Sequence, residues 1–474
     1  MDYRRHLCAS DLEHLEDQMK GKKRIKGCKV TVFGAAKSGM AVASLLRRNG
    51  ADVFITEVKK EDELKNEIEK LKQLEVGWET GGHTHKAIEG KDFLVLSPGV
   101  PTDLSLLKEA LDKKIPIFSE IEVAYRFCEG KIIGITGSNG KTTTATLLGE
   151  ILKLDKRKYV VCGNIGLPFS EVVDVLTEDY IVVLELSSFQ LEKTQEFHPK
   201  IAAVLNITPD HLDRHLDLNS YREAKKRIFK NQTSDDFSVL NSDDPETSSL
   251  ESEIKSRGFF FSTQGEVKQG AFVKEDMLVF RHLGEEERVI AIDEIRIKGP
   301  HNLSNSACAA TVAKLLGVET EPLASALKTF PGVEHRLEEV ATVSGVKYIN
   351  DSKATNVNSV WYALRSTDPP IVLLMGGRDK GGDFTRLAEQ IKKRVRSLIL
   401  LGEAKKKIKA QLKGLVPTFF AQDLEEAVDL AKKQAQAGDC VLLSPGCSSF
   451  DMFDNYEHRG RVFKTRVLEK KDEI

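Results

Sequence analysis

The sequence predicts an α/β protein of three domains, each built on a mostly parallel sheet that is covered by helices. Its 474 residues exceed the ~100–200 residues of one ordinary domain. Short runs of β-branched and other apolar residues alternate with helical patterns along almost the whole chain, which is typical of strand–helix–strand crossovers. Hydrophobic residues make up 41% and charged residues 30%, the composition of a folded globular protein. We expect a Rossmann-like N-terminal domain, a central mononucleotide-binding domain of the P-loop ATPase type, and a Rossmann-like C-terminal domain.

The balance of charge argues against binding of polyanions over the whole surface. Seventy Lys and Arg offset 72 Asp and Glu, so there is no overall basic field for a nucleic acid or an anionic membrane. The N-terminus lacks an apolar stretch of signal-peptide length, and no run approaches the ~20 apolar residues of a membrane span. We therefore expect a cytoplasmic protein with no nucleic-acid partner and no membrane insertion.

Changes in pattern divide the chain into a charged N-terminal extension, residues 1–26, and three blocks at 27–126, 127–332 and 333–474. The first block is predicted to contain strands at 28–33, 52–56 and 92–96 and a helix at 40–48. The second is predicted to contain strands at 131–136, 180–184 and 201–207, short β pieces after residue 241, and a helix at 301–316. The third is predicted to contain strands at 347–349, 370–375, 397–401 and 440–443, separated by helices.

A phosphate-binding loop is predicted where the first strand of the second block meets a helix. The run is Gly137-Ser138-Asn139-Gly140-Lys141-Thr142. Glycines let the backbone N–H groups curl around a phosphate, Lys141 reaches the outer phosphates, and Thr142 can ligate Mg²⁺. Ile135 stands where the usual Gly-x-x-x-x-Gly-Lys-Thr pattern has its first glycine. The strand–loop–helix context nevertheless favours a nucleotide site over a simple tight turn.

Polar side chains follow the next two predicted strands and are candidates for a metal site. Glu185 and Ser187 come just after the strand at 180–184, and His211 follows the strand at 201–207. Parallel strands of an open α/β sheet end at the same edge, where ligands bind, so these groups are expected near Thr142. A carboxylate, a hydroxyl and an imidazole there suit Mg²⁺ between phosphates, although an isolated histidine is more often structural.

Three strand ends of the third block carry small, basic or hydroxyl-bearing residues. Asp351, Lys353 and Thr355 follow the first of these strands, Lys380 follows the second, and Ser449 follows the last. One such loop is often only a turn. Three of them at one sheet edge suit an anionic substrate.

The first block carries a weaker signal. Residues 34–39 read Gly-Ala-Ala-Lys-Ser-Gly, which resembles the pattern Gly-x-Gly-x-x-Gly with alanine in the middle, and Glu57 lies roughly 20 residues further on. The pattern indicates a Rossmann-like site for a diphosphate-linked ligand and leaves the ligand unspecified.

Six motifs, in order along nearly the whole chain, together resemble the Mur ligase family. They are TGSNGKTTT at 136–144, GNIG at 163–166, ELSSFQLE at 185–192, DHLDR at 210–214, NDSKATN at 350–356 and SPGCSSFD at 444–451. Within the family, SSFQLE with NDSKATN is similar to the members that add D-glutamate to UDP-N-acetylmuramoyl-L-alanine, rather than to those that add L-alanine, a diamino acid or D-Ala-D-Ala. The resemblance implies an ADP-forming acid–amino-acid ligase that works through an acyl phosphate in peptidoglycan precursor synthesis. It implies ATP and Mg²⁺ as cofactors, a monomer, and three domains that bind the UDP sugar, ATP and the amino acid.

The resemblance also implies roles for individual residues. ATP contacts are implied for Gly137, Ser138, Asn139, Gly140, Lys141, Thr142, Thr143, Asn305, Arg336 and Asp351. Mg²⁺ ligands or positioners are implied at Thr142, Glu185, His211 and Lys225, of which Lys225 matches a lysine that is carbamylated in the family. The implied catalytic residues are Lys141, His211 and Lys225, and the implied substrate contacts are Ser38, Glu57, Asn164, Ser187, Lys353, Thr355, Lys380, Ser449, Phe450 and Tyr456. Ala36 and Lys37 depart from the Gly and Thr expected around uracil and diphosphate.

Three alternatives stay open. A folylpolyglutamate synthase-like ligase would share the ATP site and accept a folate, but the Rossmann-like first block with Glu57 argues against it. A family variant that uses L-glutamate would keep every motif. A non-catalytic nucleotide-binding regulator or an NAD-linked oxidoreductase could rest on residues 34–39 and Glu57, but would leave the phosphate loop, Glu185 and His211 unexplained.

Overall fold

The computed structural model describes residues 25–209, 215 and 217–469, which form three α/β units in chain order. Each unit has its own sheet, and the sheets have five, nine and six strands. The predicted three-domain α/β architecture is therefore confirmed. None of the helices in the described ranges combines the length and apolar character that a bilayer crossing requires.

The first sheet is entirely parallel, with strand order β3-β2-β1-β4-β5. Its strands are β1 Lys29–Phe33, β2 Asp52–Thr56, β3 Gly77–Glu79, β4 Phe93–Leu96 and β5 Ile117–Ser119. Its helices are α1 Lys37–Arg48, α2 Lys65–Gln73, α3 Ser105–Asp112 and α4 Glu120–Tyr125, with 3₁₀ turns at Glu61–Glu63 and His85–Ala87. The strand order reverses between β1 and β4, and the carboxyl end of β1 leads into the glycine loop at 34–39.

The nine-stranded middle sheet has the order β14-β13-β12-β11-β10-β9-β6-β8-β7, and the antiparallel pairs among these strands are β12–β13 and β13–β14. Its strands are β6 Lys131–Thr136, β7 Tyr159–Gly163, β8 Ile181–Glu185, β9 Ile201–Val204, β10 Phe237–Asn241, β11 Arg257–Ser262, β12 Gly270–Lys274, β13 Met277–His282 and β14 Glu285–Ala291. The helices are α5 Lys141–Leu154, α6 Phe169–Val172, α7 Ser188–Leu191, α8 Leu218–Lys226, α9 Pro245–Ser248, α10 Pro300–Leu315 and α11 Thr320–Thr329, and 3₁₀ turns lie at Val173–Val175, Arg227–Phe229 and Ser249–Glu253. Strands β6, β8 and β9 are apolar and buried along nearly their whole length, as expected for a parallel sheet covered on both faces.

The third sheet has the order β15-β16-β20-β17-β18-β19, with only the β15–β16 pair antiparallel. Its strands are β15 Glu338–Val343, β16 Val346–Asn350, β17 Ile371–Gly376, β18 Val395–Leu401, β19 Thr418–Phe420 and β20 Cys440–Leu443. The helices are α12 Val357–Ser366, α13 Ala388–Arg394, α14 Lys405–Gln411, α15 Leu424–Gln434 and α16 Tyr456–Leu468, with a 3₁₀ turn at Phe384–Leu387. Apolar clusters lie on both faces of this sheet.

Buried polar contacts join the first domain to the middle domain. The fully buried carboxylate of Glu122 in α4 accepts hydrogen bonds from the backbone N–H groups of Gln195, Glu196 and Phe197, at 2.8, 3.0 and 3.1 Å. The Arg126 guanidinium also donates to Glu122. Because such a carboxylate is costly to leave unpaired, these contacts fix how the two domains pack.

Candidate functional site

The phosphate loop of the middle domain has the predicted strand–loop–helix form. β6 ends at Thr136 and α5 begins at Lys141. Gly137 and Gly140 have φ values of 153° and 89°, which favour glycine. A Cβ atom on Gly140 would lie 2.2 Å from Asn305 Oδ1. Since no side chain caps α5, the N–H groups of its first turn are left for a ligand, as anion binding requires.

Three lysine ammonium groups converge on this loop. Lys141 Nζ donates to the carbonyl oxygens of Gly137 and Ser138, at 2.8 and 2.9 Å. Lys225 Nζ, on a side chain that is 1% exposed, donates to the same Gly137 oxygen at 2.9 Å. From the third domain, Lys353 Nζ donates to Thr142 Oγ1 at 2.7 Å. Three cations around one set of backbone N–H groups suit a ligand with several negative charges, such as a nucleoside triphosphate.

Burial lowers the pKa of Lys353 to about 8, because it disfavours the charged ammonium. Glu185 opposes this shift, while Arg336 and Lys141 reinforce it. Lys353 is therefore close enough to Glu185 and Lys141 to respond to both charges.

Glu185 is the best candidate for a metal ligand among the described residues. It ends β8 and is 2% exposed. Asn164 Nδ2 donates to Glu185 Oε1 at 2.9 Å, and Oε2 is buried with no hydrogen-bond partner in the described part of the chain. A buried carboxylate oxygen without a partner is costly. A divalent cation would satisfy it, and the carboxylate of Glu185 with the hydroxyl of Thr142 offers the oxygen ligands that Mg²⁺ prefers.

A cavity of about 560 Å³ separates the phosphate loop from the third domain. Its lining includes the predicted ATP contacts Asn139, Gly140, Asn305, Arg336 and Asp351. It also includes Asn206, Asp243, Asp244, Thr263, Trp361 and Tyr362, which the sequence analysis did not single out. Asp243 and Asp244 follow β10, so their position after a strand was the signal that could have found them. The cavity has the size of a small-molecule site.

The two domains touch across this cavity. Ser359 Oγ donates to Asn139 Oδ1 at 3.0 Å. Asp351 is 1% exposed, accepts from Ser444 Oγ at 2.9 Å, and lies 4.0 Å from the Arg336 guanidinium. Burial raises the pKa of Asp351 to about 6, although Arg336 opposes the shift. Asp351 is therefore the carboxylate that holds the Arg336 guanidinium beside the cavity.

The predicted amino-acid contacts lie on two loops and one helix start of the third domain. Lys353 and Thr355 belong to the loop after β16, Ser449 to the loop after β20, and Tyr456 begins α16 with its ring centroid 5.2 Å from Lys353 Nζ. Burial raises the pKa of Tyr456. Phe450 is 61% exposed and Lys380 is also exposed, so these two residues lie at the rim of the predicted amino-acid site.

Arg459 braces these two loops and was not found from the sequence. Its guanidinium, 2% exposed, donates to the carbonyl oxygens of Ser352 at 2.8 Å and Cys447 at 3.3 Å. Burial lowers the pKa of Arg459 to about 10. A charged residue within a helix usually indicates a solvent-exposed face, so no sequence pattern predicts this contact.

Several predicted residues take local structural roles. The Glu57 carboxylate accepts from the backbone N–H groups of Ala35 at 2.7 Å, Val58 at 2.9 Å and Lys59 at 3.1 Å. The Ser187 hydroxyl caps α7 by accepting from the N–H of Gln190 at 3.3 Å. Ser38 lies half-buried in the first turn of α1 and Thr143 is buried in the first turn of α5. His211 and most of the N-terminal extension lie outside the described residues.

Family models match all three domains. They are "Mur ligase MurD-like, N-terminal domain" at residues 28–119, "Mur ligase middle domain" at 135–313, and "Mur ligase, glutamate ligase domain" at 335–447. A relative from Thermoanaerobacter sp. (strain X514), named UDP-N-acetylmuramoylalanine--D-glutamate ligase, is 46% identical over 449 residues, 94% of this chain and 99% of the relative. A relative of the same name from Koribacter versatilis is 44% identical over 443 residues, 94% of this chain and 98% of the relative.

Solved structures share the fold at low sequence identity. The UDP-N-acetylmuramate-alanine ligase MurC of Thermotoga maritima matches with a TM-score of 0.58 and 20% identity, over 94% of this chain and 100% of the other. The MurF ligase of Thermotoga maritima, solved in complex with ADP, matches with a TM-score of 0.56 and 18% identity, over 88% of this chain and 95% of the other. The three family models together span most of the chain, and the relatives match it nearly end to end. The chain belongs to the Mur ligase family.

Proposed function

We propose that this protein joins D-glutamate to UDP-N-acetylmuramoyl-L-alanine, using ATP and releasing ADP and phosphate, in the cytoplasmic synthesis of peptidoglycan precursors. The observation that carries the proposal is the convergence of Lys141, Lys225 and Lys353 on one phosphate loop, in a chain 46% identical to a relative named for this reaction. Mur ligase family proteins are ATP-dependent. In the proposed division of labour, residues 27–126 bind the UDP sugar, 127–332 bind ATP and 333–474 bind the amino acid.

The donor set fits Mg²⁺ held by Glu185 and Thr142, with His211 as a further proposed ligand. When bound, Mg²⁺ supplies positive charge that neutralises the phosphates and the attacking carboxylate. Lys225 as an ammonium would repel a cation, but its carbamylation would replace that charge with a carboxylate. We therefore include a carbamylated Lys225 in the proposed active form. We propose that Asn164 orients the Glu185 carboxylate, because its amide donates to Oε1 and leaves Oε2 available for the metal ion.

Two bond-forming steps follow in the proposed reaction. The carboxylate of the UDP sugar's alanyl group attacks the γ-phosphorus, the bond to the β-phosphate oxygen breaks, and ADP leaves with an acyl phosphate formed. Lys141, which now donates to its own loop, turns to the phosphates and offsets their charge. The amine of glutamate then attacks the acyl carbon, loses a proton, and expels phosphate to give the amide.

The third domain holds the amino acid in this proposal. Lys353, released from Thr142, binds a carboxylate of glutamate, with Thr355, Ser449 and Tyr456 around it. Phe450 and Lys380 form the rim. Since one chain provides the groups of the proposed site, a monomer is sufficient.

The test is phosphate release by the purified protein with ATP, Mg²⁺ and UDP-N-acetylmuramoyl-L-alanine, in parallel with D-glutamate, L-glutamate and no amino acid. We expect release only with D-glutamate and a product heavier by one glutamyl residue in mass spectrometry. Release only with L-glutamate would keep the chemistry and overturn the assigned enantiomer. No release with any acceptor would overturn the proposal, and a folate acceptor would then be tried.

A further inference from the structure

Three loops at the carboxyl edge of the first sheet are tied into one scaffold. The Glu57 carboxylate accepts N–H groups from both the loop at 34–39 and the turn at 57–59. The next loop, at 79–84, is joined to the same turn, because Gly81 N–H donates to Lys59 O at 2.8 Å. These loops surround the place where a Rossmann-like domain binds the nucleotide end of its ligand.

Backbone N–H groups take most of the accepting capacity of Glu57, whose position suggested a nucleoside contact. One of its carboxylate oxygens accepts from Ala35 and the other accepts from Val58 and Lys59. A carboxylate can accept about four hydrogen bonds, so these three donors leave one lone pair, on the oxygen that accepts from Ala35. A further acceptor beside the same loops would leave these hydrogen bonds undisturbed.

His83 provides one, and its hydrogen bonds define which ring nitrogen accepts. Thr56 Oγ1 lies 2.7 Å from Glu79 Oε1 and 2.7 Å from His83 Nδ1. Glu79 also accepts from the N–H and hydroxyl of Thr84, at 3.0 and 2.6 Å. Burial raises the pKa of Glu79, but the hydrogen bonds from Thr84 and Thr56 outweigh it and lower the pKa overall, so Glu79 is an ionised acceptor.

The single hydroxyl proton of Thr56 therefore points to Glu79, and His83 Nδ1 must carry the proton that Thr56 accepts. Burial lowers the pKa of His83 against the opposing charges of Glu57 and Glu79, which keeps the ring neutral at physiological pH. A neutral ring protonated at Nδ1 has a lone pair at Nε2. The relay from His83 through Thr56 to Glu79 thus makes Nε2 a fixed acceptor.

The surroundings of His83 suit a flat base. Its ring centroid lies 5.1 Å from that of Phe33, the last residue of β1 before the glycine loop. Nε2 has no hydrogen-bond partner among the described residues, and the side chain is only partly buried. Val58, in the adjoining turn, exposes 60% of its surface although it is apolar. An accepting nitrogen and an uncovered apolar side chain beside a diphosphate-type loop are features of a nucleobase site.

We propose that His83 selects the uracil base of the sugar nucleotide by accepting its N3–H at Nε2, an inference that rests on the proposed function. Uracil presents a donor at N3 between two carbonyl groups. Cytosine presents a lone pair at N3, which would face the lone pair of Nε2. A site that offers only an acceptor discriminates against a base that lacks the matching donor.

The experiment compares UDP and CDP binding to the full-length protein by isothermal titration calorimetry at pH 7.5. Wild type is expected to bind UDP more tightly than CDP. His83→Ala should weaken UDP binding about three- to tenfold, the value of one hydrogen bond, and leave CDP binding unchanged or tighter, because the two facing lone pairs no longer meet. His83→Gln, whose amide can turn either an oxygen or an NH₂ to the base, should keep UDP binding and lose the preference. The control is His85→Ala, since the His85 side chain is 74% exposed and pairs with Glu109; it should match wild type.

An unchanged UDP-to-CDP ratio in both His83 variants would overturn the role of His83 while leaving the proposed ligase reaction standing. A wild-type protein that binds no uridine nucleotide, including UDP-N-acetylmuramoyl-L-alanine, would overturn both. Thermal unfolding of each variant separates loss of the base contact from loss of the fold: we expect the His83 variants to melt close to wild type, and a His83→Ala variant that binds neither UDP nor CDP would count against the proposal.

Discussion

Two strand–glycine loop–helix turns in this protein share a shape and differ in charge. The loop at 137–140 leads into α5 and the loop at 34–39 leads into α1, and neither helix has a side-chain cap at its N-terminus. In both, glycine is required by close approach: a Cβ on Gly39 would lie 1.9 Å from the oxygen of Gly34. Around the middle loop, however, stand three ammonium groups, whereas the first loop is held by the Glu57 carboxylate and the Ser97 hydroxyl.

The difference shows that backbone geometry alone does not choose the ligand. Uncapped N–H groups at a helix start attract any anion. Lysines around the middle loop favour a ligand with the charge of a triphosphate, and they bring in the third domain through Lys353. A carboxylate beside the first loop disfavours so much charge and leaves room for a diphosphate whose recognition rests on neutral contacts.

Removing a cation from the middle loop should have the largest effect. We expect Lys141→Ala to lower the rate of phosphate release by at least roughly 10³-fold, because its charge is needed most in the transition state. Binding of UDP-N-acetylmuramoyl-L-alanine, measured by calorimetry, should stay as in wild type, since the proposed site of that ligand is the first loop. Lys153→Ala, a change on the same helix at a lysine paired with Glu150, is the control. Comparable losses of phosphate release in Lys141→Ala and Lys153→Ala would mean that the cation at the middle loop has no special role, and the contrast between the two loops would fail.

The unpartnered oxygen of Glu185 gives the second test. Glu185→Gln keeps the shape and removes the charge, so we expect the Mg²⁺ concentration for half-maximal phosphate release to rise by roughly 100-fold. Glu150→Gln changes a partly exposed glutamate of the same domain and should leave the Mg²⁺ requirement unchanged. Equal Mg²⁺ dependence of the Glu185 variant and wild type would exclude Glu185 as a ligand.

The third test concerns the first loop, where a carboxylate takes the place of cations. In Glu57→Gln, the amide NH₂ must face a backbone N–H group, either of Ala35 or of Val58 and Lys59. We expect a loss of about 1–3 kcal/mol in unfolding free energy, the usual cost of an unsatisfied buried donor, measured by urea denaturation. Glu61→Gln, at an exposed position nearby, should be neutral. Unchanged stability together with lost preference for UDP over its 2′-deoxy analogue would instead indicate that Glu57 binds the ribose.

The fold could be predicted because its strands are continuous apolar runs between helices. The predicted strands at 52–56, 131–136 and 440–443 match β2, β6 and β20 residue for residue. A parallel strand that is buried on both faces is apolar at nearly every residue, so its whole length can be recognised in the sequence. Strand β10 was not predicted, and the four strands from β11 to β14 were predicted only as short β pieces after residue 241. β13 and β14 form the antiparallel edge of the sheet and carry charged residues such as Arg281 and Glu285, which weakens the apolar signal.

The site was predicted in part, and the missing part depends on contacts between distant segments. Glu185 ends β8, and Lys141 and Thr142 begin the helix after β6, so their neighbourhood follows from topology. Arg459 bridges loops that lie far from it along the chain, and nothing in a helix of mixed charge marks it as buried. The acceptor nitrogen of His83 depends on a three-residue relay, which no local spacing encodes.

A pH-dependent change in stability is expected from Asp351, a buried carboxylate of the third domain that lines the same cavity as the middle loop. Asp351 has a pKa raised from 3.8 to about 6, mainly by burial. Between these values the folded protein binds the proton more tightly than the unfolded chain, so wild type loses stability as the pH rises through 3.8 to 6. Above pH 6 the loss is complete and is on the order of 2–3 kcal/mol. Asp351→Asn does not titrate and should escape it.

We therefore expect Asp351→Asn to melt a few degrees above wild type at pH 7.5, with the difference vanishing near pH 4, in thermal unfolding followed by circular dichroism. The same variant should release phosphate more slowly, because Arg336 loses its carboxylate partner beside the cavity. Asp439→Asn is the matched control: Asp439 is buried but paired with Arg396 at 2.7 Å, so its removal should lower stability at pH 7.5. A pH-independent difference between Asp351→Asn and wild type would mean that burial of this charge is compensated in the folded protein. The middle loop would then differ from the first loop in the number of cations around it, and the buried charge of Asp351 would not add to that difference.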